Sequence, residues 1–166
     1  MTASNLLTAS LEDYLEAIYL IIQIKQAARS KDIAKHLKVR AASVTSALRL
    51  LSEKGLINYA PYDIITLTKD GEKAALGVVQ KHRALYTFLK DVLGVDEQQA
   101  EDGACKLEHA ISPEVLKRLT SFIDFMHECP RVGSQWVEEF NSFCLHGAAG
   151  KNCKACIKDC LKKAQQ

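Results

Sequence analysis

The sequence predicts a mainly α-helical fold that is interrupted by one β-hairpin. Apolar residues recur at spacings of three and four along most of the chain, as they do on one face of an α-helix. Around Pro61 this period gives way to two short segments with the pattern of a hairpin. The 166 residues are 48% hydrophobic and 25% charged, which is ordinary globular composition and excludes a wholly disordered chain.

Three helices are expected in the N-terminal third of the chain. Residues 7–24 carry apolar side chains at helical spacing, and Ser10 is the expected N-cap. Residues 30–37 and 42–54 form the next two helices, and Gly55 ends the second of these. Two short helices joined by a few residues are typical of a helix-turn-helix motif.

A hairpin is expected directly after this motif. Residues 56–60 and 64–68 have the pattern of strands, and a turn that contains Pro61 joins them. A helix-turn-helix followed by a hairpin is a winged helix, in which the third helix enters the major groove of DNA and the hairpin lies along the backbone. We therefore predict a winged helix-turn-helix DNA-binding domain over residues 1–73.

Further helices are expected after the hairpin. Thr68 caps the first, which extends to about Val92, and residues 96–110 form the second. Pro113 lies in the first turn of the third, where proline is favoured. These amphipathic helices are too few to enclose a core alone, so a second copy of the chain is expected to cover the surplus apolar face. Residues 74–131 are thus predicted to form an all-helical dimerisation domain.

The charge is unevenly distributed along the chain. Residues 1–90 carry a net charge of +5, residues 91–143 a net charge of −7 and residues 144–166 a net charge of +4. The basic excess is densest over residues 25–54, which hold eight basic and two acidic residues and include the predicted helix-turn-helix. A basic unit joined to an acidic one indicates a polyanion-binding module attached to a second module.

Composition also bears on location. No apolar run approaches the roughly 18 to 20 residues of a membrane span, and the first residues lack the positive charge of a signal peptide. We therefore expect a cytoplasmic protein. In a reducing cytoplasm, the six cysteines favour metal or redox chemistry over a disulfide framework.

The most informative constellation is a cysteine, a glutamate and a histidine on one predicted helix. Cys105, Glu108 and His109 stand at i, i+3 and i+4, which places them on one side of that helix. Thiolate, carboxylate and imidazole together suit a divalent transition metal. Asp13 and Glu16, one turn apart on the first helix, form a second acidic pair. Each part alone fits a solvated helix face or a core cysteine equally well, so these residues leave a metal site open.

The order of these parts resembles the family of the diphtheria toxin repressor (DtxR) and the manganese transport regulator (MntR). The resemblance covers about residues 7–128. Its motifs are Glu12-Asp-Tyr-Leu-Glu-x-Ile-Tyr19, Asp32-Ile-Ala34, Ser43-Val-Thr45, Leu67-Thr-x-x-Gly71, Lys81-His-Arg83 and Cys105-x-x-Glu-His-x-x-Ser112. Members are metal-activated, dimeric DNA-binding repressors of metal-uptake genes. The resemblance implies the two-domain form, without the SH3-like domain of the longer iron regulators.

By position, the resemblance implies a set of metal ligands. These are Asp13, Glu16, His82, Cys105, Glu108 and His109. The carboxylate at Asp13 resembles the manganese-sensing branch and the thiol at Cys105 the iron-sensing branch. Because a soft thiolate disfavours Mn(II), we expect Fe(II), with Mn(II) as the alternative. At the iron-type ancillary site, Tyr86 and Glu101 replace an acid and a histidine, so the number of metals stays open.

Residues suited to DNA contact cluster around the predicted third helix. The start of that helix supplies hydroxyl and guanidinium groups for base edges, and nearby residues can meet phosphates. The candidates are Lys31, Lys35, Lys38, Arg40, Ser43, Thr45, Ser46, Arg49 and Tyr62. Taken singly, each is also an ordinary surface residue.

The last predicted segment, residues 132–166, is a cysteine-rich extension. Cys153, Cys156 and Cys160 fall on one face of a helix, and Cys144 precedes them. Four thiolates can hold Zn(II) or an iron–sulfur cluster. Packing of the cysteines as an apolar face and thiol redox chemistry remain alternatives.

Two functions follow from these observations. The first is a metal-activated repressor, in which a divalent ion fixes the spacing of two recognition helices in a homodimer bound to operator DNA. The second is a redox or iron–sulfur-sensing DNA-binding regulator that the C-terminal cysteines switch. An enzyme is not expected, because Cys105 and His109 share a helix with a carboxylate and no glycine-rich or oxyanion-forming motif accompanies them. Neither a membrane nor a small-molecule substrate is expected as a partner.

Overall fold

The computed structural model describes residues 7–60, 64–128 and 133–146. Within these ranges the chain forms seven α-helices and one two-stranded sheet, which confirms the predicted mainly α-helical class. The elements are α1 (Ala9–Lys25), α2 (Ser30–Leu37), α3 (Ala41–Glu53), β1 (Ile57–Asn58), β2 (Thr66–Leu67), α4 (Lys69–Thr87), a π-helical turn (Phe88–Val92), α5 (Glu97–Leu107), α6 (Pro113–Glu128) and α7 (Gly133–His146). Among the described helices, none is long and apolar enough to cross a membrane.

The N-cap of helix α1 lies two residues earlier than predicted. Thr8 has an extended backbone, and its side chain accepts a hydrogen bond from the backbone N–H of Leu11 at 3.4 Å. Ser10 is not the N-cap, because the chain is already helical at Ala9. The first turns of α1 bury Leu11 and Leu15 and carry Glu12 and Asp13, which contact His109.

Helices α1, α2 and α3 share one core with the small sheet. Four fully buried residues belong to it. Helices α1, α2 and α3 contribute Leu15, Ile33 and Leu48, and the fourth, Ile65, lies directly before β2. Gly55, with φ of 70°, ends α3 as predicted, because this left-handed conformation is one that glycine adopts without strain. The opposite face of α3 stays exposed, as a recognition helix requires.

The sheet is a short hairpin that is anchored to the helices. β1 pairs antiparallel with β2, with Ile57 opposite Leu67. Ile65 makes a further bridge to Ala28, between α1 and α2. The hairpin is therefore held against the helix-turn-helix, which is the arrangement of a winged helix.

Helix α4 starts directly against this hairpin. Thr68 accepts a hydrogen bond from the backbone N–H of Gly71 at 3.1 Å and donates one to the carbonyl of Gly55 at 2.7 Å. Gly71 packs so closely on Leu56, the residue before β1, that a Cβ at Gly71 would lie 1.8 Å from the Leu56 carbonyl oxygen. The start of α4 is therefore fixed to the winged helix by backbone contact.

A Gly71→Ala substitution is expected to lower the free energy of unfolding by about 3 kcal/mol or more, because the obstructing atom belongs to the backbone and cannot rotate away. Gly77→Ala is the matched control in the same helix, since a Cβ there meets no described heavy atom within 4 Å. The control is expected to be neutral or stabilising by up to about 1 kcal/mol. Urea denaturation at one protein concentration measures both effects, and equal midpoints for the two variants would contradict the close contact.

The second half of the chain is built around α4. It packs against α1 on one side and against α5 and α6 on the other, so it links the winged helix to the helical domain. The helix predicted to reach Val92 changes to a π-helical turn at Phe88, where the backbone N–H of Leu93 donates to the Phe88 carbonyl. On α6, Val115 and Phe125 are more than half exposed and leave an apolar face uncovered.

Candidate metal centre

The end of α5 lies against the first turns of α1 and beside α4. Glu108 caps α5, and His109 follows it in the next turn. His109 Nε2 is 2.8 Å from Asp13 Oδ1 and 3.4 Å from Glu108 Oε1. From α4, His82 Nδ1 is 2.7 Å from Glu108 Oε2. Residues from three helices, separated by up to 96 positions, thus converge on one point.

Two groups of possible ligands overlap at this point. Asp13, Glu108 and His109 form one group, and Glu16, His82 and Glu108 form the other. Within each group, one nitrogen or oxygen atom per residue lies within 4.8 Å of the others. Metal–ligand bonds of about 2.1 Å leave ligand atoms up to about 4.2 Å apart, so small side-chain movements suffice to bind an ion. Glu108 is shared, with its two oxygens facing different histidines.

Glu108 carries the clearest sign of a missing partner. Its side chain is 0% exposed, and Oε1 has no hydrogen-bond partner among the described residues. The 3.4 Å separation from His109 Nε2 is an ion-pair distance and is not a hydrogen bond in its geometry. Leaving such an atom unpaired costs about 1 to 3 kcal/mol, and more when the group is charged. A carboxylate and imidazole donor set with a free buried oxygen fits a divalent cation.

Burial and the neighbouring carboxylates shift the pKa values of three groups at this site. Burial, and then the neighbouring Glu108 carboxylate, raises the pKa of Glu16 to about 7. The hydrogen bond to Glu108 raises the pKa of His82 to about 9. Burial opposes the charged form of His109, but the hydrogen bond to Glu12 and the charge of Asp13 raise its pKa overall. In the metal-free chain, protonated His82 therefore offsets part of the negative charge at neutral pH.

Cys105 does not join either group in the described part of the chain. Cys105 lies in the last turn of α5, Glu108 is the C-cap with helical φ and ψ, and His109 follows in the turn beyond. The Cys105 side chain is exposed. Partial burial, and then the charges of Glu108 and Asp13, raises the pKa of its thiol. The thiol is therefore near the carboxylates, and its role as a ligand stays a prediction.

Two carboxylates at this site were not expected to touch the histidines. Glu12 Oε2 is 2.7 Å from His109 Nδ1, and Glu101 Oε1 is 3.3 Å from His82 Nε2. Glu12 stands one turn before Glu16, on the edge of the apolar stripe of α1. That position is the sequence feature that could have indicated its place at the site. The pairing itself depends on the rotation of α1 against α5, which periodicity does not define.

The predicted DNA-contacting residues lie at the surface where they are described. Seven of them are exposed and Thr45 is half-buried: Lys31, Lys35, Lys38, Arg40, Ser43, Thr45, Ser46 and Arg49. Thr45 and Ser46 donate to backbone carbonyls one turn earlier, both at 3.1 Å. Tyr62 lies outside the described residues. So do Cys153, Cys156 and Cys160, whereas Cys144 is exposed on α7.

A winged helix joined to a helical domain, with a candidate metal centre where they meet, defines the class of metal-responsive DNA-binding regulators. Two family models match the chain. "Iron dependent repressor, N-terminal DNA binding domain" matches residues 6–64, and "Iron dependent repressor, metal binding and dimerisation domain" matches residues 68–137. The chain belongs to this DtxR/MntR family, and it is a metal-dependent transcriptional repressor and not an enzyme. Its two domains imply DNA and a second copy of the chain as partners.

Individual relatives support the same conclusion. An uncharacterised helix-turn-helix transcriptional regulator of Methanocaldococcus jannaschii is 41% identical over 119 residues, which are 71% of this chain and 95% of that protein. The regulator named MntR of Bacillus subtilis is 34% identical over 121 residues, which are 73% and 84% of the two chains.

Solved structures show the same architecture. The crystal structure of T. acidophilum IdeR matches with a TM-score of 0.62 at 25% identity, over 68% of this chain and 53% of that one. The metal-dependent transcriptional regulator MtsR matches with a TM-score of 0.66 at 29% identity, over 76% and 59%. This chain therefore spans little more than half the length of these solved chains.

Proposed function

We propose that this chain is an iron-activated repressor of metal-ion uptake genes, in which the ion joins α1 of the DNA-binding domain to the end of α5 in the dimerisation domain. The observation that carries the proposal is the buried Glu108 Oε1, which lies 3.4 Å from His109 Nε2 and has no hydrogen-bond partner among the described residues. Asp13 and Glu16 supply carboxylates from α1, and His109 supplies an imidazole beside Glu108. The domain division at about residues 73 and 131 is part of this proposal.

The charges of the site favour a cation between the two domains. Four carboxylates converge there with three cationic side chains, even when both histidines are protonated: Glu12, Asp13, Glu16 and Glu108 against Lys81, His82 and His109. When bound, a divalent ion supplies positive charge that both domains share. Because the ligands come from different helices, their affinity for the ion stabilises one placement of α1 against α5.

This placement bears on DNA because α1 packs on α2 and α3, the helices of the motif. Two copies of α3 must enter successive major grooves, about 34 Å apart. Val115, Phe122 and Phe125 on α6 offer an exposed apolar face for the second copy, and burying it would fix the two winged helices relative to each other. The exposed residues of α3 and the lysines of α2 would then meet bases and phosphates.

The choice of iron depends on Cys105. A thiolate is a softer ligand than a carboxylate and favours Fe(II) over Mn(II). Mn(II) is the second candidate, because both groups that the structure brings together consist of carboxylates and imidazoles alone. Relatives named MntR fit that alternative as well. The alternative in which the C-terminal cysteines switch DNA binding finds no support in the family matches.

A Cys105→Glu substitution is expected to shift the metal preference toward Mn(II) by about tenfold or more, because it replaces the soft ligand with a hard one. Anaerobic titrations with Fe(II) and with Mn(II), read by DNA binding, give the ratio of the two half-activating concentrations. Cys144→Ser, at the other described cysteine, is the control and is expected to leave this ratio unchanged. An unchanged ratio in Cys105→Glu would remove the argument for iron.

The proposed function is tested by selecting duplexes from a random DNA pool with the full chain in the presence of Fe(II) under anaerobic conditions. Binding to the selected duplex is then measured with Fe(II), with Mn(II) and with chelator. We expect one dimer per duplex, binding that depends on the metal, and half-sites separated by about one helical turn. Equal binding with chelator would contradict metal activation.

A further inference from the structure

We propose that Glu12 is a positioning residue of the metal centre, which holds His109 through its second ring nitrogen. The proposal rests on the proposed function, in that it takes the group of Asp13, Glu108 and His109 to be the place where the ion binds. Glu12 belongs to neither of the two ligand groups in the described chain. Its contact is with the far side of the imidazole that faces them.

The two nitrogens of His109 have different surroundings. Nε2 lies 2.8 Å from Asp13 and 3.4 Å from Glu108, so it is the atom that faces the ligand group. Nδ1 lies 2.7 Å from Glu12 Oε2. A neutral imidazole binds a metal through the nitrogen that carries no proton, so the proton must then be on the other one. A carboxylate at Nδ1 accepts that proton's hydrogen bond and thereby keeps Nε2 available.

Glu12 is itself held in place. It is 7% exposed, although a carboxylate is seldom buried without a partner. Lys81 Nζ, from α4, is 4.0 Å from its other oxygen, Oε1. The side chain is thus fixed between a lysine of one helix and a histidine beyond another. It can orient the ring because its own position is constrained from both sides.

The position of Glu12 on α1 gives the contact a second consequence. The next residue, Asp13, is in the ligand group, so α1 supplies both a ligand and the partner that orients another ligand. The Glu12–His109 hydrogen bond already joins α1 to the turn after α5 without an ion. It therefore selects the same placement of the two elements that metal binding stabilises.

A groove of about 770 Å³ borders this pair. Glu12, Lys81 and His109 line it, whereas Asp13 and Glu108 do not. If Glu12 were replaced by an apolar residue, water from the groove could satisfy Nδ1 but could not hold the ring at a fixed angle. The orienting role thus belongs to the carboxylate and is not supplied by solvent.

The second histidine offers an internal comparison. Glu101 approaches His82 Nε2 in the same manner, but at 3.3 Å and with a side chain that is 57% exposed. An exposed pair contributes little, because water competes for both groups. We therefore expect replacement of Glu101 to change metal affinity much less than replacement of Glu12, although the two residue types and their partners are the same.

The experiment is an anaerobic titration of the metal-free full chain with Co(II), in which the visible d–d absorption of the ion monitors binding. Glu12→Leu keeps the buried volume and removes the acceptor, and it is expected to lower Co(II) affinity about 10- to 100-fold and to change the d–d spectrum. Glu12→Gln keeps an acceptor oxygen and is expected to restore most of the affinity and the wild-type spectrum. Glu101→Leu is the matched control, with less than about a threefold loss expected.

The outcomes separate this proposal from the proposed function. Asp13→Ala is titrated alongside, and wild-type Co(II) affinity in that variant would show that the ion does not bind at this group. If Asp13→Ala loses affinity and Glu12→Leu does not, the metal centre stands and the positioning role is overturned. It is also overturned if Glu12→Gln is as weak as Glu12→Leu. Thermal unfolding of each metal-free variant confirms that the chain is folded, and should Glu12→Leu fail to fold, Glu12→Ala takes its place.

Discussion

A Glu108→Gln variant is expected to lose metal-dependent DNA binding, with metal affinity reduced by more than about 100-fold. Replacing a residue that hydrogen-bonds to a metal ligand typically lowers metal affinity by about 10- to 100-fold. Glu108 is expected to matter more, because it belongs to both ligand groups at once. Glutamine keeps the size of the side chain, so the packing around it changes little. It removes the negative charge and leaves only one oxygen to serve two groups.

The measurement is a titration of DNA binding with Mn(II) and, anaerobically, with Fe(II), using the duplex selected with the wild-type chain. Glu114→Gln is the matched control, because that glutamate is largely exposed at the start of α6 and pairs only with Arg118 one turn along among the described residues. We expect the control to respond to metal as the wild type does. A Glu108→Gln chain that reached full DNA binding at wild-type metal concentrations would show that the buried carboxylate is not a ligand.

Metal affinity is expected to rise steeply with pH. In the metal-free chain the pKa of Glu16 is raised to about 7 and that of His82 to about 9, so both groups carry protons below pH 7. Ligands must be deprotonated to bind a metal, so the ion displaces these protons. Metal affinity is therefore lower at lower pH, where both groups are protonated. Each displaced proton gives about a tenfold change in affinity per pH unit.

The expected profile has two segments. Below pH 7 both Glu16 and His82 release a proton when the ion binds, so affinity rises by about 100-fold per pH unit. Between pH 7 and 9 Glu16 is already ionised while His82 still releases its proton, so affinity rises by about tenfold per pH unit, and by more where His109 is also protonated. Electron paramagnetic resonance of free Mn(II) gives the affinity at each pH. In His82→Gln the upper segment is expected to flatten. Affinity that is independent of pH from 6 to 9 would mean that neither Glu16 nor His82 loses a proton when the ion binds.

The winged helix could be predicted because its signals are local. Helical spacing in α1 to α3, the left-handed glycine after α3 and the hairpin pattern each lie within a few residues of sequence. The same is true of Thr68, which caps α4 as expected. The cap of α1 was assigned to Ser10 instead of Thr8, since both residues favour that position and composition does not distinguish them.

The candidate site was only partly predictable, because it depends on how distant helices are rotated against each other. The ligand residues came from short motifs and from the family resemblance. Glu12 and His109 are separated by 97 positions, and no periodicity reports that their side chains meet. Spacing alone also puts Cys105 beside Glu108 and His109, but neither of the two groups of converging ligand atoms in the described chain includes its thiol.

Metal activation depends on a divalent ion that joins α1 to the end of α5. A crystal structure of the Mn(II)-loaded full chain, with anomalous difference maps at the manganese edge, tests it most directly. We expect a manganese peak about 2.2 Å from oxygen or nitrogen atoms of Asp13, Glu108 and His109. Manganese peaks confined to other parts of the molecule, with none between α1 and the end of α5, would contradict it.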